Sequence, residues 1–270
     1  MNLKNIVAAA IMMFLVISGH LTANAQEHST PKWGDVVNVQ MNLCNLNEGY
    51  TIEDYDKMNE EYFKWSRKND VEVTYVRQTP LFTHNFPNNP DQYEFSDLLF
   101  TDYETSGKAW DKWLGTQSGQ SLNAKWQKIA ACDVKFMAMY IAYVDMEIMN
   151  ASDERIVSYD FCTPLEGVTA DEVNAFHEKY LQQNKDQFEQ SAWVMLVPSV
   201  GLSPAGKGFF HLNAYQDLEA YQKSRKILHA GEGWRTYLEY QDTIASCNGD
   251  AVFQETVMNS APYKAERMGE

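Results

Sequence analysis

The sequence predicts an α+β protein made of two tandem β-α-β-β-α-β units in one 270-residue chain. Three observations carry that prediction. First, the chain matches itself at a shift of 118 residues: Cys44/Cys162, Glu48/Glu166, Gly49/Gly167, Thr51/Thr169, Glu60/Glu178, Tyr62/Tyr180, Val76/Val194 and Pro80/Pro198 coincide in order. Second, the match resumes at a shift of 114 with Lys112/Lys226, Leu114/Leu228, Gly119/Gly233 and Gln127/Gln241, and one further residue of drift sets "IAAC" (ending at Cys132) on "IASC" (ending at Cys247). Third, each half passes through the same alternation of strand and helix periods. A unit of about 110 residues is domain-sized rather than solenoid-sized.

The elements follow in order. "VVNVQMNLC" (Val36 to Cys44) alternates apolar and polar residues and reads as a strand. Thr51 opens a helix to about Lys68, whose Ile52, Tyr55, Met58, Tyr62 and Trp65 form one stripe at three- and four-residue steps. "VEVTYVRQTPLF" (Val71 to Phe82) is β-branched and aromatic, hence a strand. The turn-rich "HNFPNNPD" precedes a third strand, Tyr93 to Tyr103. Two helical stretches, "ETSGKAWDKWLG" and "SLNAKWQKIAA", are broken at "TQSG". Val134 to Val144 is the fourth strand, and Asp145 to Asp153 joins the halves.

The second half repeats the order. "RIVSYDFC" is a strand, and Thr169 with Glu172 forms a capping box at the head of a helix over "TADEVNAFHEKYLQQNKDQF". "SAWVMLVPSV" and "GKGFFHLNAY" are strands around the turn "GLSPA". Helices broken at "HAGEG" and a last strand, "DAVFQETV", complete it. This order is the ferredoxin-like unit. The predicted organisation is a leader at 1–25, a lead at 26–35, units at 36–145 and 154–258 joined by 146–153, and a tail at 259–270.

One such sheet buries a face under its helices and leaves the other uncovered. A second copy in the same chain supplies the cover. The whole arrangement resembles a fused, single-chain form of the dimeric α+β barrel superfamily, across nearly all of the mature chain. The resemblance rests on topology, duplication and the broken second helices. That superfamily includes antibiotic-biosynthesis-type monooxygenases, EthD-like proteins, NIPSNAP-like proteins and haem-degrading enzymes. The resemblance implies two units that pair within the chain, and oxygenase-like chemistry as the nearest analogy for an activity.

Residues 1–25 read as a secretory signal: Lys4, an apolar run from Ile6 to Ile17, and the cleavage site Ala23-Asn24-Ala25. The apolar run is too short for a membrane span, and no later stretch is long enough. The expected mature chain begins at Gln26 and is soluble and exported, to a periplasm or beyond. Removing the leader takes the formal charge from −15 to −16. Such acidity argues against nucleic acid and anionic membranes as partners. Aromatic residues at 13% support large packed surfaces or an aromatic-lined cavity.

Four cysteines allow three pairings. A ferredoxin-like sheet has strand order 4-1-3-2, which sets the end of strand 1 beside the start of strand 4. That topology favours Cys44–Cys132 and Cys162–Cys247. A metal site or redox-active thiols are the rival readings. There is no CxxC and no zinc-like Cys/His spacing, so disulfides are the expected state.

Strand parity suggests where chemistry would sit. Val39, Met41 and Leu43, like Val157, Tyr159 and Phe161, face one way; Gln40, Asn42, Ser158 and Asp160 face the other. His211 and Asn213 oppose Phe210 and Leu212. Strands 1 and 3 are neighbours in this topology, so Asp160 and His211 share a face. If that face lines the space between the sheets, they form an acid/base pair or a polar ligand site, with Gln40, Asn42, Ser158 and Asn213 as ligand-binding candidates, and the carboxylate raises the imidazole's basicity. Arg77 is a candidate anion anchor. A satisfied polar layer or an exposed edge is the favoured reading of that face. His177 reads as half-exposed helix surface, His229 as a helix end-cap, His84 as a loop residue, and Trp110 and Trp113 as core. H-E-x-x-H, G-x-S-x-G, P-loop and dinucleotide fingerprints are all missing, and the residues name no cofactor and no metal. The expected function is a small-molecule-binding or non-enzymatic exported protein; the alternative is a small-molecule enzyme using Asp160 and His211.

Overall fold

The structure is a computed structural model that describes residues 36–83, 93–201, 208–230 and 232–261. The expected leader and lead, His84 with its whole turn, most of "GLSPA", Gly231 and residues 262–270 lie outside the described residues. The first half runs β1 (Val36–Leu46), α1 (Ile52–Lys68), β2 (Thr74–Phe82), β3 (Phe95–Thr101), α2 (Tyr103–Gly115), α3 (Gln117–Ile129) and β4 (Ala130–Val144). One helical turn, α4 (Met146–Met149), occupies the expected linker. The second half runs β5 (Glu154–Pro164), α5 (Ala170–Asn184), β6 (Gln190–Val200), β7 (Phe209–Tyr215), α6 (Leu218–His229), α7 (Glu232–Thr243), β8 (Ala245–Cys247) and β9 (Ala251–Asn259).

Every strand pairing is antiparallel, and the order is β7-β6-β4-β1-β3-β2-β9-β5-β8. β5 also pairs with β7, which closes eight of the strands into a barrel and leaves β8 beside the end of β5. The halves meet at two seams, β4 with β6 and β2 with β9. Alternation then sorts the side chains. Val39, Val76, Leu98, Met137, Val157, Leu196, Leu212 and Phe253 belong to one buried cluster drawn from both halves. Tyr159 packs with it and donates to Gln78 (2.7 Å), which donates to Glu255 (2.7 Å).

Local chemistry explains the elements. Thr51 accepts from the Asp54 amide while Asp54 accepts from the Thr51 amide, and Thr169 and Glu172 do the same for α5. Each reciprocal pair satisfies two helix-end donors. Gly49 and Gly167 both sit at φ +85°, which suits glycine alone among the residues nearby. β2 starts at Thr74 rather than Val71, because the Val71 amide closes the end of α1 on Ser66 (3.1 Å). The break "TQSG" shrinks to Thr116, whose side chain accepts from Gly119 and starts α3 at once. A short strand not expected, β8, precedes the expected last strand, β9, and Gly249 between them has φ +90°.

Disulfides join Cys44 to Cys132 and Cys162 to Cys247, and each pair also faces across a strand register. Both ties sit where strand 1 of a half leaves the sheet, as the topology suggested. No helix among the described residues is long and apolar enough to cross a membrane.

Candidate functional site

Asp160 on β5 and His211 on β7 are direct register partners. Their shared face is not the barrel interior. Val157, Tyr159 and Leu212 point inward to the apolar cluster, and the alternate residues point outward under α5, α6 and α7. The condition that this polar face line the space between the sheets is therefore not met: a sheet closed on itself fills its interior with its apolar parity. Between the outer face and the three helices lies a cavity lined by Asp160, His177, Trp193, His211, Asn213 and Tyr240, among others. About 170 Å³ of it is open to the centre of a water molecule, room for a small organic molecule.

A directed chain of hydrogen bonds runs along the wall. Trp193 Nε1 donates to His211 Nδ1 at 3.0 Å. An indole N–H only donates, so His211 carries its proton on Nε2, which meets the Tyr240 hydroxyl at 3.1 Å. The Tyr240 oxygen also lies 3.0 Å from His177 Nε2, and its hydrogen serves that nitrogen. His177 then presents Nδ1–H, a buried atom with no hydrogen-bond partner. The two imidazole rings are 5.0 Å apart, and Trp193 packs edge-on to His177 at 5.1 Å.

Burial sets the charges. It pushes His211 down to about 4, and it pushes His177 down as well, with the His211 ring adding to the effect. The idea that Asp160 raises the basicity of His211 is thus reversed: burial lowers it, and both ring nitrogens are occupied by Trp193 and Tyr240. Asp160 instead accepts from the Gly249 amide at 2.8 Å. Burial, then the Asp250 carboxylate, raise it to about 6. Arg225 bonds Asp250 at 3.0 Å and His229 at 2.8 Å, and His229 sits in the last turn of α6. Asp160, Cys162 and Cys247 lie close enough to suggest a metal cluster, but both sulfurs are spent in a disulfide.

The other expected site residues are scattered. Asn213 lines this cavity, and Ser158, its register partner, is fully buried beneath. Gln40 and Asn42 line a separate cavity in the first half. Arg77 is not placed as an anion anchor. Its guanidinium pairs with Asp97 (3.0 Å) and Asp56 and lies over the Tyr55 and Phe95 rings, so its charge is already matched. Trp113 is core, whereas Trp110 is half-buried and donates to Gln40 at 3.0 Å.

His177 is the main correction to the sequence reading. It is 2% exposed, not half-exposed surface. The signal was present: Val173, His177 and Leu181 fall four residues apart and form the buried stripe of α5. Tyr240, Trp193 and Asp250 carried no such signal, because long-range pairing alone assembles them. The first half holds different chemistry at matching register positions, where Asn42 faces Asp97 as Asp160 faces His211. There Tyr75 and Arg77 close on Asp97 in an ion-paired network.

No family model matches the chain, and no curated protein matches it by sequence. Solved structures do align with the chain. An anthrone oxidase-like protein aligns with TM-score 0.49 at 11% identity, over 83% of this chain and 94% of its own. A mutant chlorite dismutase from Candidatus Nitrospira defluvii aligns with TM-score 0.47 at 7% identity, over 82% and 92%. A dye-decolorizing peroxidase from Bacteroides thetaiotaomicron aligns with TM-score 0.45 at 7% identity, over 82% and 93%. None of these likenesses assigns a role to a residue here.

Proposed function

We propose that this is an exported small-molecule-binding protein whose ligand sits in the cavity of the second half. The observation that carries the reading is His177 Nδ1, a buried donor without a partner on the wall of a ligand-sized cavity. A buried unpaired donor costs about 1–3 kcal/mol, a cost that a bound acceptor offsets. The aromatic walls and the Asp160/Asp250/Arg225 rim favour a neutral or weakly basic ring compound bearing one acceptor atom.

The same proposal takes residues 36–145 and 154–258 as two ferredoxin-like copies forming one intrachain α+β barrel. Support comes from the ordered sequence identities and the β4-β1-β3-β2 order of the first half. Export after Ala25 accords with the leader pattern and with two disulfides. Native mass spectrometry of protein purified from its export compartment tests the proposal. The expected species begins at Gln26, carries both disulfides and retains a small molecule that His177→Phe releases. An empty species in parent and variant alike, with no thermal shift from any neutral or basic aromatic compound, would sink it.

A second reading is an enzyme that moves a proton on the bound molecule. Asp160, poised at about 6 on the cavity wall, favours it. His211 and Tyr240 then act as a fixed neutral relay, since their hydrogens already point in one direction. Neither reading depends on Arg77.

A further inference from the structure

The first half has its own cavity under its helices, and its furnishing is different. It is lined by Asn38, Gln40 and Asn42 from β1, Asn59 from α1, Trp110 from α2 and Trp126 from α3, among others. About 70 Å³ is open to the centre of a water molecule, less than half of the roughly 150 Å³ that encloses benzene, and the cavity opens to solvent, so a ring enters it by one edge. No Asp, Glu, Lys, Arg or His is among the described residues that line it.

Two of its amides are buried and unmatched. Asn38 is 4% exposed and Asn59 is 2% exposed, and Nδ2 of each has no hydrogen-bond partner. Turning the Asn59 amide lets its Nδ2 donate to the Tyr75 oxygen but leaves its Oδ1 unmatched instead. The single hydroxyl hydrogen of Tyr75 goes to Asp97 at 2.5 Å, so its 3.4 Å contact with Asn59 serves one end of the amide at most. Nearby groups are matched: Gln40 donates to Asn42 at 2.9 Å, Trp110 to Gln40 at 3.0 Å and Trp126 to Tyr55 at 3.0 Å. The mismatch is thus confined to the two amides on the cavity wall. A purely structural layer would be better served by leucine at both positions.

We propose that this cavity receives the hydroxyl-bearing edge of an uncharged ring the size of one monosaccharide unit. Hydroxyl groups both accept and donate, which answers either orientation of the two amides. The indole surfaces suit the C–H faces of such a ring, and an uncharged wall gives no counter-ion to a charged one. The site is separate from the cavity of the second half and does not rest on the function assigned to it.

Isothermal titration of the disulfide-intact protein tests this, with D-glucose, D-galactose and N-acetyl-D-glucosamine as neutral probes and D-glucuronate and D-glucosamine as charged ones. At least one neutral probe is expected to bind saturably and to alter indole fluorescence, with the charged probes weaker by about ten-fold or more. Asn38→Leu and Asn59→Leu are each expected to weaken binding by about ten-fold while thermal unfolding stays level or rises. Trp110→Leu, at a half-buried position, gives the same readout should either leucine variant fail to fold. The proposal is overturned if no neutral probe binds, if charged probes bind as well, or if binding survives these changes and is lost instead in His177→Phe.

Discussion

Protonating His211 would set a second ring N–H against the Trp193 N–H, so the contact and the burial work in one direction. The consequence for stability has a definite sign. His211 falls from 6.5 to about 4, so between those values the unfolded chain binds more protons and acidification destabilises the fold. Asp160 rises from 3.8 to about 6, so between those values the native state binds more protons and acidification stabilises it. The two groups oppose each other from about pH 4 to 6. Asp160→Asn removes one of them. Its melting temperature is expected to fall more steeply than the parent's between pH 6 and 4, as read by calorimetry. An unchanged slope would show that Asp160 titrates normally. At this scale little was legible beforehand. Strand parity put Asp160 and His211 on one face, but which face met the helices depended on barrel closure, and the partner Tyr240 lies on a distant helix.

At the scale of elements, the matched glycines of the two broken helices have a steric reason. A methyl group on Gly119 would lie 2.4 Å from the Trp113 carbonyl oxygen, and one on Gly233 would lie 2.0 Å from the Ile227 carbonyl oxygen. Backbone meets backbone at these breaks, so neither contact relaxes by a rotamer change. Gly119→Ala and Gly233→Ala are each expected to lower stability by about 1–3 kcal/mol in urea unfolding. Gly107→Ala, a helical position with open space around it, is the control and is expected to match the parent or exceed it. Elements were largely legible because their signals are local: Thr51 and Thr169 cap, periodicity fixes the stripe of α1, and alternation fixes β1 and β5. Boundaries failed where a backbone amide served a neighbour, as at Val71, or where one residue sufficed for a break, as at Thr116.

For the whole molecule, the shared interior couples the halves. Val39 and Leu98 pack in the same cluster as Val157 and Leu212, and the seams give β2 and β4 their second partners. Calorimetry of the oxidised protein is expected to give one transition, with calorimetric and van't Hoff enthalpies equal. Two resolved transitions would show the halves to be separate folding units. Barrel closure was only implied by the sequence, through the uncovered face of each sheet. The pairing of β2 with β9 has no local signal at all.

That seam joins residues far apart in the chain: Tyr75 of β2 stands opposite Asn259 of β9. A chain made from its N-terminus completes β2 long before its partner exists. Until the last strand arrives, β2 offers a bare row of donors and acceptors to any strand it meets. Closing so long a span is entropically expensive and kinetically late. The final residues of β9 are therefore a latch, and the interval before it shuts is when this molecule is most open to its neighbours.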